Sequence, residues 1–322
     1  MMGPDRLAPL PQWPEYGLSD DLLPTLEAWL AQGKQAALAT LVSITGSSPR
    51  PLGSEMAISS TGDVQGYVSG GCVEAAVAAE ALQCLKDRRP RLLDYGAGSP
   101  VLDIQLTCGG RISIFVRPIA DLAAHVAALR KAREARQALA LVTDLQSGTM
   151  QFTHTPPLSE EGKTFVRRYP PPLRIVVAGG DPVTLALLKL APQFNVETFL
   201  LRPLGPTLPP SMVTQDHYDR RRLEECLDEL PLDEWTAVYT LTHDAHTDLE
   251  IASKALKSDA FCVGILGSRR KIASRLSALK ASGIDATELK KLHLPAGMDI
   301  NARNPMEIAL SILSQVTAHR PA

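Results

Sequence analysis

The chain has 322 residues, of which 45% are apolar and 21% charged, enough for two domains that each bury a core. Its 33 Lys and Arg nearly balance 35 Asp and Glu, so no global field draws it to nucleic acid or to an anionic membrane. Nor does any apolar run reach the roughly 18 residues that a membrane span requires.

The opening residues, Met1 to Arg6, lack the basic and apolar regions of a secretory signal, and a Pro-rich leader follows them. A helix is expected from about Ser19 to Gln32, with Ser19 and Asp20 as caps. Ala36 to Ile44 (AALATLVSI) reads as a strand, and the turn-rich segment Thr45 to Gly53 follows it. Met56 to Ser59 and Val64 to Val68 read as short strands across the hairpin residues Thr61-Gly62-Asp63. Gly70-Gly71-Cys72 opens an Ala- and Leu-rich helix, Val73 to Lys86. Thr107-Cys108-Gly109-Gly110 leads into a strand, Arg111 to Val116. A basic helix from about Leu122 to Arg136 and a strand, Ala138 to Val142, complete an α+β half.

Tyr169-Pro170-Pro171-Pro172 reads as the end of a linker, which divides the chain into domains 1–168 and 169–322. Beyond it the pattern is strand, helix, strand. Arg174 to Ala178 is an apolar strand that ends in Gly179-Gly180-Asp181-Pro182 and is followed by a helix to about Leu190. Val196 to Leu201, Ala237 to Thr242 and Phe261 to Gly267 are further strands. This alternation predicts an α/β chain whose C-terminal half is a Rossmann-like, doubly wound parallel sheet. Arg220-Arg221-Arg222 reads as a solvated helix face. Near the C-terminus, Asn304, Pro305 and Glu307 predict a helix start, with Ile308, Leu310, Ile312 and Leu313 turned inward.

Ligands of a doubly wound sheet sit beyond the carboxyl ends of its strands, at helix N-termini. Gly179 and Gly180, then His243 and Asp244, then Gly267, Ser268, Arg269 and Arg270 fall on that edge. They read either as an anion or nucleotide site or as tight turns, with Ser268 as a helix cap. The dinucleotide fingerprint is incomplete. Its second glycine is replaced by Asp181, and Arg202 stands where a ribose-binding carboxylate is expected. His243 and His246 resemble a metal patch without a third ligand, and a cap by Asp244 or Thr247 is the stronger reading.

In the N-terminal half, Cys72 follows Gly70 and Gly71 at a helix start, where unpaired N–H groups would favour its thiolate. It reads as a ligand for a soft metal or as a small buried residue. Glu74 lies in the first helical turn. Cys108, with Gly109 and Gly110, reads first as structural, and Cys84, Cys226 and Cys262 read as packing residues. Arg50 reads as a phosphate grip or as part of a surface turn. The five cysteines include no CxxC pair, which argues against a disulfide framework or structural zinc and makes the reducing cytoplasm the expected compartment.

The ordered motifs GSSPR (Gly46 to Arg50), SGGCVE (Ser69 to Glu74), CGG (Cys108 to Gly110), THDAHTD (Thr242 to Asp248), GILGSRRK (Gly264 to Lys271) and AGMDINARNPMEIALSIL (Ala296 to Leu313) resemble the XdhC/CoxI family. The resemblance implies an N-terminal family-specific domain, a Rossmann domain and a homodimer. It also implies an accessory protein, not an enzyme, that carries the molybdenum cofactor as molybdopterin or its dinucleotide form. The implied partners are a cysteine desulfurase and the large subunit of a molybdenum hydroxylase of the xanthine dehydrogenase or aldehyde oxidase type. Cys72 matches the family's glycine-flanked cysteine and becomes the candidate molybdenum ligand. Many members carry Gly-Ala-Gly at the first Rossmann turn, where this chain has Gly179-Gly180-Asp181. Two alternatives remain from the residues themselves. One is an NAD(P)-dependent oxidoreductase using the Rossmann half. The other is a nucleotidyltransferase, for which no carboxylate pair and Gly-rich phosphate loop stand at suitable spacing.

Overall fold

The computed structural model describes residues 20–99, 109–158, 160 and 162–321, so Ser19 and Cys108 lie outside the described residues. The chain divides into two compact units, residues 1–171 and 172–322.

The first unit runs α1 (Leu23–Ala31), β1 (Ala36–Thr45), β2 (Glu55–Ser59), β3 (Val64–Gly66), α2 (Glu74–Asp87), β4 (Arg91–Gly96), β5 (Arg111–Pro118), α3 (Leu122–Glu134), β6 (Leu139–Asp144), β7 (Met150–Thr153) and β8 (Thr164–Tyr169). β3-β2-β1-β5-β4 form one antiparallel sheet and β7-β6-β8 a second. β1 is buried on both faces from Ala36 to Leu41, and that stretch is apolar at every position but Thr40. Ala37, Ala39 and Leu41, with Ile112 and Ile114 of β5, pack against Val77, Ala81 and Cys84 of α2. Ala36 and Leu38 face Leu26 and Trp29 of α1 and Val126 of α3.

Helix α1 starts later than expected, at Leu23. Its cap position, Leu22, supplies no side-chain hydrogen bond, whereas Asp21 Oδ1 accepts the Leu23 N–H at 3.1 Å. The segment read as a linker before Pro170 contains β8, which is held by its ladder to β6.

The second unit runs β9 (Arg174–Gly179), α4 (Pro182–Leu190), β10 (Glu197–Leu201), β11 (Tyr218–Asp219), α5 (Leu223–Cys226), β12 (Thr236–Leu241), α6 (Ala245–Leu256), β13 (Cys262–Ile265), α7 (Ile272–Ala281), β14 (Leu292–His293) and α8 (Pro305–His319). Its six strands are all parallel, in the order β11-β10-β9-β12-β13-β14. Renumbered from β9, that order is 3-2-1-4-5-6, the doubly wound order of dinucleotide-binding folds. The expected Rossmann-like sheet is borne out. Ile175 and Val177 point to α4 and α8, while Val176 and Ala178 point to α6 and α7, so β9 is apolar at every position after Arg174.

Helix α8 starts as its sequence predicts. Asn304 Oδ1 accepts the Glu307 N–H at 3.0 Å, and Glu307 Oε2 accepts the Arg303 N–H at 2.6 Å. Leu310, expected inward, is 42% exposed, because Ala309, Ile312, Leu313 and Val316 fill the core-facing stripe. The arginines Arg220 to Arg222 precede α5 and do not form a helix face; Arg221 pairs with Asp219 at 2.7 Å and Glu229 at 2.8 Å.

Candidate functional site

Three of the N-terminal motifs meet at one end of the first sheet. β1 runs into GSSPR, and the CGG segment runs into β5, its neighbour in the sheet. The approach of these two loops is close enough to exclude a side chain: a Cβ on Gly110 would lie 2.1 Å from the Ser47 carbonyl oxygen. On the other flank, a Cβ on Gly70 would stand 3.4 Å from the Pro49 ring, so the SGGC loop rests against GSSPR as well. GSSPR thus lies between the other two. Cys108 itself is outside the described residues.

Glu74 builds the SGGC loop from beneath. Its residue exposure is 0%, and its carboxylate accepts the N–H groups of Val68 (3.2 Å), Ser69 (2.7 Å) and Val73 (3.2 Å) and the Ser69 hydroxyl (2.7 Å). Such charge-assisted bonds are stronger than neutral ones. Glu74 therefore faces the loop's interior. Gly71, at φ 99°, makes the turn that an L side chain resists. Cys72 comes out exposed, with its N–H donating to Ser69 Oγ at 3.1 Å. The Val73 N–H, one of the donors expected to face the thiol, goes to Glu74 instead. Arg50 lies over the Tyr67 ring at 4.1 Å, donates to its hydroxyl at 3.3 Å and pairs with Asp20, leaving its buried Nε without a partner among the described residues.

A polar cleft of about 460 Å³ opens beside Gly46 and Gly109. Its floor comes from one face of the sheet. A bulge between Leu41 and Ser43 in the β1–β5 ladder puts Ser43 and Thr45 on the face away from α2. There Ser43 opposes Ser113, Thr45 opposes Arg111, and Asp94 of β4 opposes Ser113 in turn. The Arg111 Nε donates to both Asp94 oxygens at 2.9 and 3.1 Å, and its NH2 also reaches Asp94. The hydrogen bonds from Arg111 hold the Asp94 carboxyl below its usual range. Apart from Gly109, sequence reasoning missed this floor. The signal was alternation of polar residues, Ser43/Thr45 and Arg111/Ser113, at the ends of otherwise apolar strands.

At the C-terminal edge of the second unit's sheet, the residues expected to hold an anion are engaged with one another. Asp181 caps α4, accepting the Thr184 N–H at 2.8 Å and its hydroxyl at 2.7 Å through Oδ1, while Oδ2 is 3.0 Å from His243 Nε2. That contact joins the loops after β9 and β12, across the switch point of the sheet. A Cβ on Gly180 would lie 2.6 Å from the Arg202 guanidinium, and one on Gly179 would lie 2.6 Å from Thr184 Oγ1. Asp244 caps α6 by accepting the Thr247 N–H at 2.8 Å, as expected. Among the described residues no group of three His, Cys, Asp or Glu could hold a metal.

Ser268 does not cap. It precedes the 3-10 turn Arg269–Lys271 and makes no side-chain cap bond. The loop is held instead by Arg275, a residue with no sequence signal, whose NH1 donates to the Leu266 carbonyl at 2.7 Å and whose NH2 is 3.5 Å from Asp248. Gly267 lies beneath it, where a Cβ would stand 2.6 Å from Arg275 NH1 and displace the guanidinium. Arg269 pairs with Asp299, and Arg270 is exposed.

Residues 29–96 match the XdhC and CoxI family and residues 175–316 the XdhC Rossmann domain. The chain is 32% identical over 292 residues to the molybdenum cofactor insertion chaperone PaoD of Escherichia coli (strain K12), covering 90% of this chain and 85% of that one. A Bacillus subtilis (strain 168) protein, described as a probable xanthine dehydrogenase subunit, is 24% identical to it over 327 residues, with coverage of 92% and 96%. Among solved structures, a Bacillus halodurans protein described as a xanthine dehydrogenase shares the fold, with a TM-score of 0.75, 22% identity and coverage of 94% and 97%.

Proposed function

This chain belongs to the XdhC and CoxI family, and we propose accordingly that it carries the molybdenum cofactor as cargo in its N-terminal unit. It presents the cofactor for sulfuration by a cysteine desulfurase and inserts it into a molybdenum hydroxylase of the xanthine dehydrogenase or aldehyde oxidase type. It acts as an accessory protein and not as a catalyst, in keeping with the chaperone to which it is 32% identical. Residues 1–168 form the cofactor-binding domain and 169–322 the Rossmann-like one, in a cytoplasmic homodimer.

The observation that carries this reading is that GSSPR meets both SGGC and CGG, with Cys72 exposed on the SGGC loop and a polar cleft opening beside Gly46 of GSSPR and Gly109 of CGG. The donor set suits the cargo. A thiolate is a soft ligand of the kind molybdenum accepts. Ser43, Thr45 and Ser113 offer hydroxyls to the polar edge of a pterin, beside the Arg111–Asp94 ion pair. Glu74 keeps the SGGC loop in place so that Cys72 stays outward. The redox chemistry of molybdenum belongs to the recipient enzyme; this chain binds, orients and releases.

The test is activation of a cofactor-free molybdenum hydroxylase by loaded wild-type protein and by Cys72→Ala. The expected result is a loss of activation of about tenfold or more with the variant, the factor that about 1.4 kcal/mol of lost binding produces. Equal activation would remove Cys72 from the site.

A further inference from the structure

Among the described residues that line the polar cleft, Asp94 of β4 and Arg111 of β5 carry the charges, and they pair with one another. Both stand on its floor. Asp94 opposes Ser113 in the β4–β5 ladder, on the face away from α2, and its side chain is 24% exposed. The pairing decides which part of a cofactor the cleft accepts. A phosphate there would meet a guanidinium already committed to Asp94 and a carboxylate that repels it. An uncharged polar ring meets neither difficulty.

The hydroxyls of Ser43, Thr45 and Ser113 do not discriminate between rings, because a hydroxyl donates or accepts as its neighbour requires. Asp94 has a fixed polarity. The hydrogen bonds from Arg111 hold its carboxyl below the usual range, so at neutral pH it is ionised and accepts only. Oδ1 takes one hydrogen bond from Arg111, at 2.9 Å, whereas Oδ2 takes two. A carboxylate offers about two acceptor positions on each oxygen, so Oδ1 keeps one for a ligand donor.

Given the pterin cargo, on which this assignment rests, we propose that Asp94 selects the 2-amino-4-oxopyrimidine edge of the pterin ring by accepting a hydrogen bond from its 2-amino group. Arg111 is the positioning residue that keeps the carboxylate charged and in place. A lumazine differs from a pterin by a carbonyl where the 2-amino group stands. It would set an acceptor against the carboxylate, and a site built for a donor rejects such an analogue.

Saturation-transfer NMR on the full chain compares 6-methylpterin with 6-methyllumazine at millimolar ligand and slightly acidic pH, where both rings are uncharged. Guanosine, which carries the same amino edge on a purine, is the third probe. Asp94→Asn keeps the side-chain size and, with its oxygen held by Arg111, turns an amide donor to the ligand. The expected result is that wild type binds the pterin about tenfold more tightly than the lumazine, and guanosine no more tightly than the pterin. Asp94→Asn removes or reverses the preference for the pterin over the lumazine. Ser113→Ala weakens both ligands alike and leaves their ratio unchanged. Equal binding of pterin and lumazine by folded wild type overturns the proposal, as does binding of neither. So does a preference that Asp94→Asn retains, a ratio that Ser113→Ala shifts as far, or guanosine binding tighter than that of the pterin. If Asp94→Asn does not fold, the wild-type and Ser113→Ala ratios decide the matter. The cofactor content of purified wild type tests the cargo separately: protein that carries molybdopterin but fails the ratio test keeps the cargo and loses the role given to Asp94.

Discussion

The two units treat their ligand edges in opposite ways. In the first, backbone meets backbone: Gly110 lies under the Ser47 carbonyl, Gly70 rests against Pro49, and the loops leave an open polar cleft beside them. In the second, where a doubly wound sheet holds a diphosphate, the turn is filled by the protein's own side chains. Asp181 serves as cap and as partner of His243, and Arg202 lies across Gly180. Close glycine approach makes room; capping carboxylates and folded-back arginines use it up. The contrast favours the first unit for cofactor handling even though the second has the more familiar fold.

Gly110→Ala strikes hardest at this contrast. A Cβ at 2.1 Å from the Ser47 carbonyl oxygen forces GSSPR and CGG apart, and the loss should be about 3 kcal/mol or more in urea unfolding, with cofactor binding gone. An unchanged midpoint would show that the two loops are not in contact.

A pH titration reads the first unit separately from the second, through His125. Its folded pKa of about 4, pushed down by burial and by the nearby Arg117 charge, lies below the ordinary 6.5, so the unfolded chain binds the proton first as pH falls. Its contribution is complete above pH 6.5 and is lost between 6.5 and about 4, roughly 3 kcal/mol in all. Chemical denaturation of wild type against His125→Phe across that window checks it, and the variant should show the flatter dependence.

Glu74→Gln replaces a carboxylate that accepts four donors with an amide that brings donors of its own. The expected cost is about 2 kcal/mol, with faster amide exchange at Val68, Ser69 and Val73. In the second unit, Asp181→Ala removes a single helix cap and should cost about 1 kcal/mol while leaving cofactor content intact, as urea unfolding and pterin analysis would show. Ser268→Ala, which removes no cap bond, should change thermal stability by less than about 0.5 kcal/mol.

The sequence announced those elements whose burial is complete on one or both faces. β1, β9 and β12 are apolar runs because helices or a second layer cover them, and the α8 cap is written in Asn304 to Glu307. β4, β7 and β8 were illegible for the converse reason. Each is an edge strand, and their half-exposed residues show neither an apolar run nor clean alternation. At the site, glycines and Cys72 stood out as residue types, but the direction of a side chain did not. Glu74 turns inward because three N–H groups and a hydroxyl converge on it, and Ser268 gives way to Arg275, which arrives from a helix further along the chain. The polar floor around Arg111 depends on a bulge, a register feature of the β1–β5 pair that neither strand carries alone.

Pterin and molybdenum content separates the two units as carriers, measured on protein purified without oxygen from a cofactor-producing host. Three proteins suffice: wild type, Cys72→Ala and a His243→Ala/Asp181→Asn double variant. If the first unit holds the cargo, pterin is near-stoichiometric in wild type and in the double variant and is lost in Cys72→Ala. Pterin retained by Cys72→Ala and lost from the double variant would instead put the cargo at the Rossmann-like edge and contradict the assignment.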